Sequence, residues 1–292
     1  MCVSVSVTVR NVSFTYEKGT ADAVPALSDI SFRVPDGAFV GVTGHTGSGK
    51  STLFSLLCGL DLPDTGEITV NGLTLTDADC DRAALRRTVG AVFQFPEKQL
   101  FARTVLGDVM FGLSHRGMLK TEMRERARDA LRLVGFSDAR IREIEGESPL
   151  ALSGGEKRKT ALAGILVCEP RVLLLDEPVA GLDGGVREEF LSLLDRLHGD
   201  GVTIFMISHQ ADALCEHTER MLVLEDGRLI RDCPTGELYA DEDFLRIHRL
   251  GTSFAADLAS RLRARGCAVP QTVVRRAELL PYLVRLGKGE RL

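Results

Sequence analysis

The chain has no run approaching ~18 consecutive apolar residues, so no transmembrane helix of its own is expected. Its N-terminus lacks a basic region followed by an apolar block, and no secretory signal is expected either. A basic excess is also missing. Lys and Arg number 36 against 41 Asp and Glu, a formal net charge of -5. Nucleic acid is therefore not expected as a partner, because counterion release needs a basic face. Arginine clusters such as Arg82, Arg86 and Arg87 read as a solvated helix face. The seven cysteines (Cys2, Cys58, Cys80, Cys168, Cys215, Cys233, Cys267) are scattered and odd in number, with no Cys-x-x-Cys. That spacing builds neither a disulfide framework nor a zinc site and reads as reduced thiols. Internal repeats and low-complexity segments are absent.

What remains is an ordinary globular composition, 44% hydrophobic and 26% charged over 292 residues. A chain of this length buries roughly three quarters of its unfolded surface. Its first ninety residues are strand-rich: Val3–Val9, Ile30–Val34, Ala38–Thr43, Glu67–Val70 and Val89–Phe93, with turn signals at Pro35-Asp36-Gly37 and Asn71-Gly72. One helix, Lys50 to about Gly59, interrupts them. From about Thr104 to Gly146 the period becomes helical. After Ser153, helices alternate with apolar strands near Val172–Leu175, Val202–Ile207 and Met221–Leu224, the pattern of a helix-covered parallel sheet. Beyond Thr235 a further helical texture begins, with Phe254, Leu258 and Leu262 at helical spacing, then Pro270 and an amphipathic stretch Arg276–Leu286.

The strand Phe39–Val42 runs into Gly44-His45-Thr46-Gly47-Ser48-Gly49-Lys50-Ser51, a glycine-rich phosphate loop opening a helix. Its glycines let successive N–H groups point at phosphates, and the helix N-terminus adds positive partial charge. Lys50 is expected on the β- and γ-phosphates of ATP, Ser51 on Mg²⁺ and Thr52 on the α-phosphate. Val172–Leu175 is followed by Asp176-Glu177, two carboxylates at the C-terminal end of a buried strand, where open parallel sheets bind ligands. Asp176 is expected to hold the metal, and Glu177 to act as general base toward water. Ser153-Gly154-Gly155-Glu156 is a capping-box pattern, and its paired glycines also suit close backbone approach to a phosphate. The two readings are compatible.

In this order the motifs resemble an ATP-binding cassette ATPase from Val3 to about Arg231. The resemblance implies an α/β phosphate-loop cassette fold with a strand-rich subdomain, a helical insert and a small C-terminal helical appendage. Together with the change of texture after Thr235, this gives an expected division into a cassette over residues 1–234, with the insert over about 95–165, and an appendage over 235–292. It further implies that Tyr16 stacks on adenine, and that Gln94 senses Mg²⁺ and the attacking water. His209 would grip the γ-phosphate, and Ala180-Gly181-Leu182-Asp183 would couple two sites. Ser153, Gly154 and Gly155 would contact ATP held by a second subunit in a head-to-tail dimer. The usual signature ends in Gln where this chain has Glu156.

Gln94-Phe95-Pro96-Glu97-Lys98-Gln99-Leu100-Phe101, with the phosphate loop and the C-terminal extension, resembles the ATPases of energy-coupling-factor importers of vitamins and cobalt or nickel ions. That implies a second ATPase, alike or paralogous, a membrane coupling protein and a substrate-binding membrane protein, with this chain peripheral on the cytoplasmic membrane face. Phe95, Leu100 and Phe101 would either seal the insert or line a groove for the coupling protein. Alternatives are the ATPase of another transporter class, a soluble cassette protein of repair or translation, and a phosphate-loop kinase. The last would not need the Ser153 signature or His209.

Overall fold

Alternating burial organises the first strands. In the computed structural model, which describes residues 5–77, 79–114 and 116–288, β1 (Val5–Tyr16) pairs antiparallel with β2 (Val24–Pro35). Val3 and Ser4, the start of the expected first strand, lie outside the described residues, as does Cys2. Both strands run longer than the sequence suggested. Irregularities in their pairing, with Asn11 in the left-handed region (φ 46°), break the two-residue alternation that would have marked Val12, Phe14 and Leu27 as strand. There follow β3 (Phe39–Thr43), α1 (Lys50–Leu57), β4 (Thr65–Val70), β5 (Leu73–Thr74), α2 (Arg82–Thr88) and β6 (Val89–Val92). The next helices are α3 (Val105–Phe111), α4 (Lys120–Leu133), α5 (Asp138–Ile144) and α6 (Gly154–Leu166). Strands and helices then alternate through β7 (Val172–Asp176), α7 (Gly184–Gly199), β8 (Thr203–Ile207), α8 (Ala211–His217), β9 (Arg220–Glu225) and β10 (Arg228–Pro234). Four helices close the chain: α9 (Thr235–Ala240), α10 (Glu242–Ile247), α11 (Phe254–Ala264) and α12 (Arg276–Gly287).

The strands form a four-stranded sheet in the order β2-β1-β4-β5 and a six-stranded sheet in the order β10-β9-β3-β8-β7-β6. Every residue of β3, β7 and β8 is buried, as required of central strands covered on both faces. Their alternation divides two cores. Phe39, Leu173, Leu175, Ile204 and Met206 pack against α3 to α8, whereas Val40, Val42, Leu174, Phe205 and Ile207 face α1 and the smaller sheet. A third, small cluster unites Ala255, Ala259, Val269, Val273 and Leu279 near the C-terminus.

Register positions the site. Val42 lies opposite Ile207, and Ile207 opposite Asp176, while Val92 pairs with Leu175. Four parallel strands therefore end level, and the segments after β3, β6, β7 and β8 leave from one edge.

The C-terminal helices hold α8 at both ends. Phe254 donates its N–H to Asp212 in the first turn (2.8 Å). At the other end the Arg275 guanidinium donates to the carbonyls of Cys215 (2.9 Å) and Thr218 (2.8 Å), which a helix terminus leaves without intrahelical partners. We predict that Arg275→Ala destabilises the fold by about 1–3 kcal/mol in denaturant unfolding, the scale of losing charge-assisted bonds to such groups. A loss below about 0.5 kcal/mol would show these bonds to be exchangeable for water.

Candidate nucleotide site

The phosphate loop is built on two glycines that nothing else could replace. A Cβ on Gly44 (φ 144°) would overlap the Leu224 carbonyl oxygen, and one on Gly49 (φ 98°) would lie 2.6 Å from Leu27 Cδ2 and 2.7 Å from the Ala26 carbonyl. Gly49 is the N-cap of α1, and it supplies no side-chain cap; the first turn carries no acidic residue. The N–H groups at this helix start are thus left to an anion, so the loop fits a polyphosphate. Lys50, 7% exposed, is folded back so that its ammonium donates to the carbonyls of Gly44 (2.8 Å) and His45 (2.7 Å) and to Ser48 Oγ (3.2 Å). Burial pushes its pKa down, partly offset by Asp176 and Glu177. His45 itself is on the rim, its Nδ1 2.9 Å from the Thr46 carbonyl.

Beside the loop, Ser51 Oγ donates to Asp176 Oδ2 at 2.9 Å. A hydroxyl and a carboxylate are hard oxygen ligands, and Mg²⁺ takes few protein ligands of this kind, completing its shell with phosphate and water. The donor set therefore fits. Glu177 comes next, in the left-handed region at φ 50°, a conformation that costs a non-glycine residue about 1–2 kcal/mol. Its N–H is bound by Ile207 O (3.0 Å). Its carboxylate accepts from the His209 N–H (2.8 Å) and from Ser208 Oγ (3.3 Å), and His209 Nε2 stands 3.6 Å away. Desolvation raises the pKa of both Asp176 and Glu177, a direction that suits a proton acceptor in the latter.

Thr52 accepts or donates with Tyr16 Oη at 3.0 Å, and the Tyr16 ring stands edge-on to Phe14 (4.9 Å) while remaining 42% exposed. Gln94 is exposed just past β6 and makes no hydrogen bond to this cluster among the described residues. Ser153, Gly154 and Gly155 are not joined to it either; they stand at the exposed or half-exposed start of α6. There the capping box is complete, with Glu156 N–H donating to Ser153 Oγ (3.4 Å) and Ser153 N–H donating to Glu156 Oε2 (3.1 Å). In the segment after Gln94, Leu100 is buried. Phe95 and Phe101 stay 48% and 65% exposed, the first under the Lys98 ammonium and the second edge-on to Phe111.

Three residues went unmarked in the sequence. Ser208 is fully buried and adjoins His209, a neighbourhood that could have drawn notice. Arg158 donates to the carbonyls of Ala180 (2.7 Å) and Pro178 (3.4 Å) and reaches to 4.0 Å from Glu97, tying α6 to two loops. Arg140 pairs with Glu156 at 2.9 Å. Neither of these links carries a local signal, since Glu156 and the carbonyls of Pro178 and Ala180 lie 16 to 22 residues from the arginines that bind them.

The raised pKa of Glu177 yields a prediction about stability. A carboxyl whose folded pKa lies above its ordinary value, 4.5, contributes stability that is present below that value and lost as pH rises through the folded one. At neutral pH the ionised group is therefore a cost, and Glu177→Gln, which keeps an acceptor for the His209 N–H, removes it. The variant should melt about 1–4 °C higher at about pH 8, with a smaller gain at about pH 5. An equal or lower melting temperature at the higher pH would mean that the carboxylate is fully compensated.

Comparison with known proteins agrees with this geometry. The ABC transporter family model matches residues 27–180. The energy-coupling factor transporter ATP-binding protein EcfA3 of Oenococcus oeni is 38% identical over 273 residues, covering 93% of each chain. The corresponding EcfA2 of Symbiobacterium thermophilum is 43% identical over 263 residues, 90% of each. Among solved structures, cbiO1 from Clostridium perfringens, part of the ABC transporter complex cbiONQ, is 31% identical with a TM-score of 0.71, covering 83% of this chain and 94% of that one. A dimeric ATP-binding cassette in a post-hydrolysis state with ADP and Pi is 30% identical with a TM-score of 0.70, covering 78% of this chain and 98% of that one. The phosphate loop, the paired carboxylates at the end of β7 and the capping serine of α6 thus sit in a phosphate-loop cassette fold, and the chain belongs to the ABC transporter family as an ATP-binding, ATP-hydrolysing protein of the energy-coupling factor type.

Proposed function

We propose that this chain is the ATP-hydrolysing motor subunit of an importer of vitamins or of transition-metal ions such as cobalt or nickel, working head to tail with a second ATPase that is the same or paralogous. It would act on the cytoplasmic membrane face with a membrane coupling protein and a substrate-binding membrane protein. Residues 1–234 would form the cassette, with the insert over about 95–165, and 235–292 the appendage. One observation carries the dimeric reading. The Lys50–Asp176–Glu177 cluster lies at one sheet edge, whereas the capped Ser153 stands exposed without a bond to it.

In this reading Lys50 exchanges loop carbonyls for the β- and γ-phosphates, and the uncapped start of α1, with Gly44 to Gly49, receives the rest of the triphosphate. Thr52 reaches the α-phosphate, and Tyr16 offers its exposed ring to adenine. Ser51 and Asp176, with Gln94, hold Mg²⁺, which supplies charge neutralisation when bound. Glu177, positioned by His209 N–H and Ser208, accepts the proton of the attacking water, and His209 turns its exposed imidazole to the γ-phosphate. Ser153 and Gly155 donate to the nucleotide of the second subunit, so that binding closes the dimer and hydrolysis releases it. Exposed Phe95 and Phe101 form the apolar face toward the coupling protein.

Two experiments test this. Glu177→Gln should leave ATP binding intact and slow hydrolysis by roughly 10²–10⁴-fold, while ATP shifts the variant to dimer mass in gel filtration. Near wild-type turnover would move the base elsewhere. Phe101→Asp should sharply reduce recovery of membrane subunits with the tagged chain and spare ATP hydrolysis by the ATPases alone. Undiminished recovery would move the docking face.

A further inference from the structure

The N-terminus of α6 contains its own anion. Glu156 Oε2 accepts both the N–H (3.1 Å) and the hydroxyl proton (2.8 Å) of Ser153, while Glu156 Oε1 accepts from Arg140 Nε on α5 (2.9 Å). A hydroxyl has one proton. While Ser153 gives it to Glu156 it has none for a phosphate oxygen, and the carboxylate takes the same positive helix end that a phosphate would use. Glu156 is a competitor of the ligand, built into the helix that would bind it.

Arg140 sits where it can weaken that competition. It grips the carboxylate oxygen that faces away from Ser153 and is itself shared with Glu143 (3.0 Å). Arg140, Ser153, Gly155, Glu156 and Lys159 line one open hollow of about 380 Å³, and Lys159 is engaged by Glu189 at 2.9 Å. Arg140 is therefore the cation that answers Glu156. We propose that Arg140 is a positioning residue for nucleotide capture: it holds and neutralises Glu156 so that the Ser153 hydroxyl can pass to a phosphate of the facing subunit. This rests on the reading that Ser153 meets that nucleotide. Hydrogen bonding from Arg140 also keeps the Glu156 carboxyl ionised below its ordinary range, so the charge to be neutralised is permanent near neutral pH.

The test is a double-mutant cycle on the ATPase assembly purified with its native partners, read as KM for ATP and kcat. Arg140→Gln should raise KM about three- to tenfold, the scale of one exposed charged hydrogen bond, with a smaller change in kcat. In a Glu156→Gln background the same substitution should change KM by less than about twofold, because no charge remains to be answered. Arg140→Lys should recover part of the loss. An equal KM increase in both backgrounds would reduce Arg140 to a structural support of α5, and no increase in either would remove its role; both overturn the proposal. Ser153→Ala separates the two levels. If it leaves KM unchanged, the serine does not meet nucleotide and both readings fall. If it raises KM while the cycle is additive, only the proposal for Arg140 falls.

Discussion

Three ionisable side chains, Lys50, Asp176 and Glu177, are each less than 10% exposed where neighbouring parallel strands end, and their mutual compensation governs what the surrounding structure must supply. Burying a charge is costly unless hydrogen bonds and opposite charges replace water. Here the replacements come from several elements at once: loop carbonyls for the ammonium, Ser51 for Asp176, and the Ser208 hydroxyl and His209 N–H for Glu177. None of these reaches its partner unless β3, β7 and β8 end level. The central strands are accordingly buried along their whole length and fixed in register by two cores, one on each face.

A site built this way is held at the expense of strain and desolvation. Glu177 occupies a backbone region that disfavours a side chain, and its carboxyl is pushed upward by burial. Stability alone would be served better by a glycine or an amide there. The fold keeps a carboxylate with free acceptor capacity, aimed by the N–H of His209, which is what proton transfer from water needs.

Much of this could be read from the sequence because its chemistry is local. The phosphate loop, the run Val172–Leu175 before Asp176-Glu177 and the Ser153–Glu156 cap each complete their pattern within a few residues. Strand limits were less legible, since the irregular pairing of β1 hides Val12 to Tyr16 behind Asn11, and β2 begins at Val24 with polar and proline positions. Arg140 and Arg158 were invisible for another reason. Their partners, Glu156 and the carbonyls of Pro178 and Ala180, lie 16 to 22 residues away on other elements, and nothing in an isolated arginine announces a long-range bond.

The attachment of the last helices to α8 has a consequence for the order in which the molecule is completed. His209 leads directly into α8, and the groups that hold both ends of that helix, Phe254 and Arg275, come 42 to 60 residues later in the chain. As the protein emerges from the ribosome, the strands that carry the phosphate loop and the carboxylates can pair before those groups exist. The supports of the helix that follows His209 therefore emerge after the strands it adjoins. A nascent chain thus acquires its phosphate loop and paired carboxylates before the helix after His209 has its final support, so the last helices complete an edge that the strands have already laid out.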